Sequence, residues 1–99
     1  MYIIEWEWDD SKNEANTKKH GISFEEALHV FTDPRAIEKE DLAHSTPKEM
    51  RLWRTGKLKT GLVVTVVYTL KGDRIRLISA QERRRERGEY EQAKKYNKR

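Results

Sequence analysis

The 99-residue chain has no cysteine, which excludes both a disulfide framework and a thiolate metal site. It has little apolar material: hydrophobic residues make up 35% of it and charged residues 38%, a balance that approaches the composition of disordered chains. Disorder nevertheless loses, because Leu62 to Leu70 and the nine aromatic side chains give the chain something to bury. No apolar run approaches the roughly 20 residues that a membrane-spanning helix needs. The opening Met1-Tyr2-Ile3-Ile4-Glu5 lacks the basic flank of a signal peptide, so a cytosolic protein is expected. The five glycines form no phosphate-cradling loop or nucleotide fingerprint. His20, His29 and His44 are never one helical turn apart, which argues against a histidine metal site, and no loop carries the calcium-binding pattern. Neither a metal nor a cofactor is expected. A chain of this length makes one domain, residues 1–99, with a thin core that buries roughly 60–65% of the unfolded surface.

What is plentiful is charge, unevenly spread. Residues 1–50 carry six Lys/Arg against twelve Asp/Glu, whereas residues 51–80 carry seven against one and residues 81–99 eight against four. The net +4 thus hides an acidic half followed by a basic half, and the basic half is the side suited to a polyanion. The plainer alternative is a solvated strand face and helix face.

The hydrophobic periods predict a layered α+β domain. Residues 2–8 alternate, with Tyr2, Ile4, Trp6 and Trp8 opposed to Glu5 and Glu7, as a half-buried strand does. Asp9 or Asp10 caps a polar helix that Gly21 ends. Ser23 and Glu26 form a capping box for a helix with the apolar stripe Phe24, Ala27, Leu28 and Phe31, which Asp33-Pro34 terminates. A short strand over 35–40 and a loop over 41–48 follow. Met50 to Thr55 alternates again, with Met50, Leu52 and Arg54 opposed to Arg51, Trp53 and Thr55, and Gly56 to Gly61 reads as a hairpin connection. Leu62–Leu70 is the central strand, covered on both faces. Lys71-Gly72-Asp73 is a tight turn before a strand over 74–78, and Ser79 with Glu82 would open a charged helix from about Ala80 to Lys95. The expected fold is a small antiparallel sheet with two N-terminal helices and a C-terminal helix.

Three constellations could carry chemistry. His20, in Lys18-Lys19-His20-Gly21, can exchange a proton near neutral pH; its structural reading is a histidine that satisfies carbonyls at a helix end. His29 reads as structural and His44 as either. Arg51, Arg54 and Arg76 lie on strands expected to be neighbours, alternate side chains projecting from one face, where guanidinium groups can grip phosphate oxygens. Asp73 is the only carboxylate between 51 and 80, whereas a solvated face normally mixes signs. Trp53, amid the arginines, suits either a stacked base or the core. The third is Arg83-Arg84-Arg85-Glu86-Arg87, a phosphate-binding or merely solvated helix. Lys18, Arg54, Arg74, Arg83, Arg84 and Arg87 are the residues expected to hold a nucleic-acid backbone, and Glu49 is a secondary base candidate.

Taken together, Trp8-Asp9, Lys12, Asn16, Lys19-His20-Gly21-Ile22-Ser23-Phe24-Glu25-Glu26-Ala27, Phe31, Asp33-Pro34, His44-Ser45, Glu49, Arg51, Gly56, Ile75-Arg76-Leu77-Ile78-Ser79-Ala80, Glu86-Arg87 and Tyr90 resemble the BrnT toxin family over nearly the whole chain. The resemblance implies a RelE-like fold, a metal-independent endoribonuclease, and a BrnA-like antitoxin partner through which alone operator DNA would be contacted. It places Lys19, His20, Arg51 and Arg76 on motif positions. The chain departs from the pattern at Gln81, where the family usually carries Arg. The expected reaction is attack by the RNA 2′-hydroxyl, with His20 as base or acid and Lys19, Arg51 and Arg76 around the phosphate. A non-catalytic module that binds RNA or docks a partner with the same basic face is the alternative.

Overall fold

The computed structural model describes residues 5–96; Tyr2 and Ile4 of the alternating N-terminal segment lie outside that range. The first strand, β1 (Glu5–Glu7), leads straight into the first helix, α1 (Asp10–His20). Asp9 caps it, its carboxylate accepting from the amides of Ser11 at 2.8 Å and Lys12 at 3.3 Å. Gly21, at φ 73°, ends it with the Gly21 amide donating to the Thr17 carbonyl. A left-handed residue at this point costs glycine nothing and any side chain about 1 kcal/mol or more. Only Asn16 of α1 is buried, so this helix is held by its polar contacts and not by an apolar stripe.

The Ser23–Glu26 capping box forms as expected and starts α2 (Phe24–Ala27). The single helix predicted through Phe31 does not continue, because the chain tightens into a 3₁₀ turn, Leu28–Thr32. Its carbonyls are taken by side chains: Val30 accepts from Arg54 Nε at 3.1 Å and His29 from the Thr32 hydroxyl at 3.0 Å.

Four further strands follow, β2 (Ile37–Glu40), β3 (Met50–Lys57), β4 (Val63–Lys71) and β5 (Arg74–Gln81), and the sheet order is β1-β5-β4-β3-β2. Strands β2 to β5 form the expected antiparallel meander. β1 instead pairs parallel to β5, with Trp6 opposite Ile75, so the sheet is mixed. The first strand finds the last, and nothing in its own alternation reveals that partner. β3 runs through Gly56 to Lys57, where a shorter strand was expected. At Gly56 a Cβ would lie 3.2 Å from Val30 Cγ1 and 3.3 Å from Ala36 Cβ, so glycine lets the 3₁₀ turn approach this closely and a side chain would push it back by a few tenths of an ångström.

One face of the sheet carries Leu52, Val64, Val66, Tyr68, Ile75, Leu77 and Ala80, buried with Ile22, Phe24, Ala27 and Val30 of the helical segments. The other carries Arg51, Trp53 and Thr55 of β3 beside Thr69, Val67 and Thr65 of β4, and is partly covered by α3 (Arg84–Tyr96). The C-terminal helix thus starts later than Ala80. Ser79 and Ala80 are strand residues, and the Ser79–Glu82 capping box does not form. A bulge in the β4–β5 pairing leaves Ile78 as the extra residue: Leu77 faces Tyr68, Ser79 faces Val67 and Gln81 faces Thr65. It therefore aims Ser79 and Gln81 to the face of Arg76, which lies opposite Thr69.

Asp33 ties three segments together. Its carboxylate accepts from the amides of Arg35 at 2.9 Å and Lys57 at 2.8 Å and from the Tyr90 hydroxyl at 2.7 Å. Burial opposes ionisation of Asp33, but these three donors outweigh it and hold the carboxyl below its ordinary value. Burial, and then Asp33, push Tyr90 up to about 12. A depressed folded-state pKa contributes stability above the unfolded pKa of about 3.9 and loses it as pH falls through the folded value. Asp33→Asn is therefore expected to lower the urea midpoint at pH 7 and to flatten the loss of stability below pH of about 4. Parallel pH profiles of wild type and variant would contradict the assignment.

Candidate functional site

The site begins where α1 leans on the bulged end of β5. Beyond Arg76, β5 no longer pairs with β1, and Asn16 takes over the role of a neighbouring strand. Its amide nitrogen donates to the carbonyls of Ala80 at 2.8 Å and Ile22 at 2.9 Å, while its oxygen accepts from the Ala80 amide at 3.1 Å. Lys12, Ala15, Asn16 and Lys19 are three or four residues apart and share one side of α1. With His20, Ile78, Ser79 and Gln81 they line a depression of about 300 Å³. Lys19 and His20 are thus carried from the acidic half to the last strand of the basic half. Gln81, the departure from the family pattern, lies in the same depression. The ring of His20 makes no hydrogen bond among the described residues. The helix end is closed by Gly21 instead, so the carbonyl-satisfying role open to this histidine in the sequence is not one it performs.

A second group forms a row across the sheet. Arg51 is opposite Thr69, which is opposite Arg76. Two strand spacings put the two arginine Cα atoms roughly 10 Å apart, close enough for two long side chains to converge on one anion. Arg76 lies 3.7 Å from Glu7, and Arg74 lies 3.4 Å from Glu5. All four side chains are substantially exposed, so these pairs are weak and exchangeable for phosphate. Arg51 has no carboxylate within 4 Å among the described residues. Its backbone is fixed by the 41–49 loop: the Arg51 amide donates to the Ser45 hydroxyl at 2.8 Å, and its carbonyl accepts from the Asp41 amide at 2.8 Å. Glu49 is exposed just before β3. His44 is in the same loop with Nδ1 2.9 Å from Asp41, at the sheet edge opposite to α1.

The structure does not bring Arg54 to this face. Three positions along a strand reverse the side-chain direction, so Arg54 points to the core side. There Nε donates to the Val30 carbonyl, Nη1 approaches Glu38 at 3.4 Å, and the guanidinium lies 5.7 Å from the Phe31 ring centre. It is a tie between β3, β2 and the 3₁₀ turn, in correction of its expected place beside Arg51 and Arg76. Lys18 is exposed on α1 outside the depression. Arg84 and Arg87 line a separate hollow along α3 with Glu82, Arg83, Gly88 and Glu91, and Arg87 is 3.8 Å from Glu82. Arg83, which also borders that hollow, turns its guanidinium toward the sheet, the guanidinium carbon 4.2 Å from the centre of the Trp53 ring. Among the described residues no three His, Cys, Asp or Glu side chains converge in a way that could hold a metal ion. No helix among them is long and apolar enough to cross a membrane.

Asn16, Thr69, Ser79 and the inward turn of Arg83 were not assigned site roles from the sequence. The polar, stripe-free α1 was the available signal for Asn16; the bulge left none.

A mixed five-stranded sheet with a polar helix at its edge and a row of arginines on its outer face defines a small α+β protein with a cationic surface. The comparisons narrow the class to ribonuclease toxins. A model of the family described as "Ribonuclease toxin, BrnT, of type II toxin-antitoxin system" matches residues 8–87. The chain belongs to that family, BrnT. The crystal structure of the Brucella abortus ribonuclease toxin, BrnT, is similar at 21% identity and a TM-score of 0.61, over 80% of this chain and 95% of that one; at this identity it establishes the shared fold. No curated protein matches the chain.

Proposed function

We propose that the protein is a cytoplasmic, metal-independent endoribonuclease toxin that cleaves RNA by attack of the 2′-hydroxyl on the adjacent phosphate and so arrests translation and growth. The observation that carries this reading is the meeting of Lys19 and His20 with Ser79 and Gln81 in one depression, on a strand whose Arg76 begins the arginine row. RNA supplies its own nucleophile. The protein must align it, move a proton and offset charge that builds on the phosphate. His20 is the proton-transfer group, Lys19 and Arg76 hold the phosphate, and Arg51 continues the cationic row. Glu49, beside Arg51 in sequence, is the secondary base. Lys18, Arg74, Arg84 and Arg87 extend the backbone-binding surface. The expected partner is an antitoxin of the BrnA kind that binds and silences the toxin and alone contacts operator DNA; membership of a type II toxin–antitoxin family supports an antitoxin partner.

The test is cleavage of a short single-stranded RNA by purified protein in EDTA. Products ending in a 2′,3′-cyclic phosphate and a 5′-hydroxyl are expected; dependence on an added divalent ion would reject the mechanism. Gln81 gives a gain-of-function arm. An added cation in the depression should stabilise the transition-state phosphate, and a charge-assisted hydrogen bond contributes about 1.5–3 kcal/mol. Gln81→Arg is therefore expected to raise kcat about tenfold or more, and an unchanged kcat would show that Gln81 does not face the reacting phosphate.

A further inference from the structure

Three donors on the outer face of the sheet have no partner. Arg51 Nε, Trp53 Nε1 and Arg83 Nε are shielded from solvent and make no hydrogen bond among the described residues. Buried donors are paired in the great majority of cases, and one left unpaired is destabilising. These three are also neighbours. Arg51 and Trp53 are alternate residues on one face of β3, and the Arg83 guanidinium lies against the Trp53 ring. All three groups donate and none can accept. Neither Arg51 nor Arg83 has a carboxylate within 4 Å among the described residues. Of the acids nearby, Glu82 lies against Arg87, Glu86 and Glu89 against Lys39, and Asp41 against His44, while Glu40 lines the hollow beside Trp53 without an ion-pair partner among the described residues. The complement of two guanidinium groups and an indole N–H is an anion with several acceptor oxygens.

We infer that Arg51, Trp53 and Arg83 form a phosphate subsite for the RNA strand, at a phosphodiester flanking the one that is cleaved. The inference rests on the ribonuclease reading and adds to it a second contact point. Trp53 is opposite Val67, which is opposite Ser79, so two strand spacings, roughly 10 Å, separate Trp53 from the His20 depression. A phosphate at Trp53 is too far away for His20 to serve it directly. The indole acts here as a hydrogen-bond donor, and Arg83 moves its guanidinium from the ring to the phosphate when the strand binds. Because this phosphate does not react, the subsite strengthens binding and not the chemical step.

The experiment follows the indole N–H signals of ¹⁵N-labelled protein during titration with inorganic phosphate, and separately with a 2′-O-methylated RNA that cannot be cleaved, at constant ionic strength set with chloride. The signal missing from Trp53→Phe is expected to move saturably in both titrations, and Arg83→Gln to remove the phosphate-induced movement. In cleavage assays Trp53→Phe and Arg83→Gln are expected to raise KM about tenfold each with kcat changed less than twofold, and Arg83→Lys to recover part of the loss. An indole signal that ignores both ligands, or a loss in kcat with KM unchanged, overturns the subsite. The titrations do not require turnover, so a wild-type protein that cleaves no RNA sinks the ribonuclease reading while the subsite is still measured.

Discussion

His20→Ala is expected to lower the rate of RNA cleavage by about 10²–10⁴-fold, the range that a positioned general acid or base contributes. It should also abolish growth arrest when the protein is expressed in a bacterial host. The same change should barely affect folding. The ring makes no hydrogen bond among the described residues, and the end of α1 is already closed by the Gly21 amide on the Thr17 carbonyl at 2.8 Å. What remains is the interaction of the ring with the helix end, about 0.3–1 kcal/mol. A thermal melt within a few degrees of wild type, beside a cleavage loss of at least a hundredfold, is the signature of a proton-transfer group. A wild-type cleavage rate in the variant would remove His20 from the mechanism. Cleavage of an RNA bearing a 2′-O-methyl group at the cut site would reject the mechanism as a whole, since its nucleophile would then be absent.

Much of the fold was legible because local chemistry and final structure agree. Asp9, Gly21 and the Ser23–Glu26 box each act through bonds within a few residues, and β4 is rich in β-branched residues on both faces because it is covered on both. What was not legible depends on distant partners. β1 is parallel because it meets β5 from the far end of the chain. β5 runs on to Gln81, past the expected helix start, because Asn16 engages the backbone of Ala80 64 residues away. The helix predicted through Phe31 gives way because Arg54 reaches across from β3 for a carbonyl. Arg54 itself, grouped from charge with Arg51 and Arg76, was separated from them by strand parity.

The acidic and basic halves seen in the composition are likewise partly consumed by folding. Glu5 and Glu7 lie against Arg74 and Arg76, Glu38 against Arg54, and Glu86 and Glu89 against Lys39. The acidic β1 therefore edges the basic face. It tempers Arg74 and Arg76 with exposed, exchangeable partners and leaves Arg51 and Arg83 without one among the described residues. Arg51 and Arg83, beside Trp53, are thus two cations of the basic half with no carboxylate within 4 Å among the described residues, as are Lys57, Lys59, Lys71 and Arg84.

Asn16→Ala is expected to be the most damaging single change to the framework that carries His20. Asn16 is 7% exposed, and its amide makes three hydrogen bonds with backbone groups of Ile22 and Ala80. Truncation leaves the Ala80 carbonyl and N–H without partners and the Ile22 carbonyl with only the distant Thr17 hydroxyl, at 3.5 Å. At roughly 1 kcal/mol or more for each, a loss of about 3 kcal/mol is expected. In a domain of this size that lowers the melting temperature by roughly 12–24 °C. Asn16→Asp should be no better, because a carboxylate cannot donate to the two carbonyls and would face them with like polarity. The damage is also directional. α1 has no apolar stripe to hold it once Asn16 is gone, so it should lift from β5 at a temperature where the sheet remains folded. Amide exchange would then accelerate at Ala80 before it does along β4, and cleavage would fail ahead of global unfolding. A variant that unfolds near the wild-type midpoint, with Ala80 still protected, would show that α1 is held by something other than this side chain. The placement of Lys19 and His20 would then need a different cause.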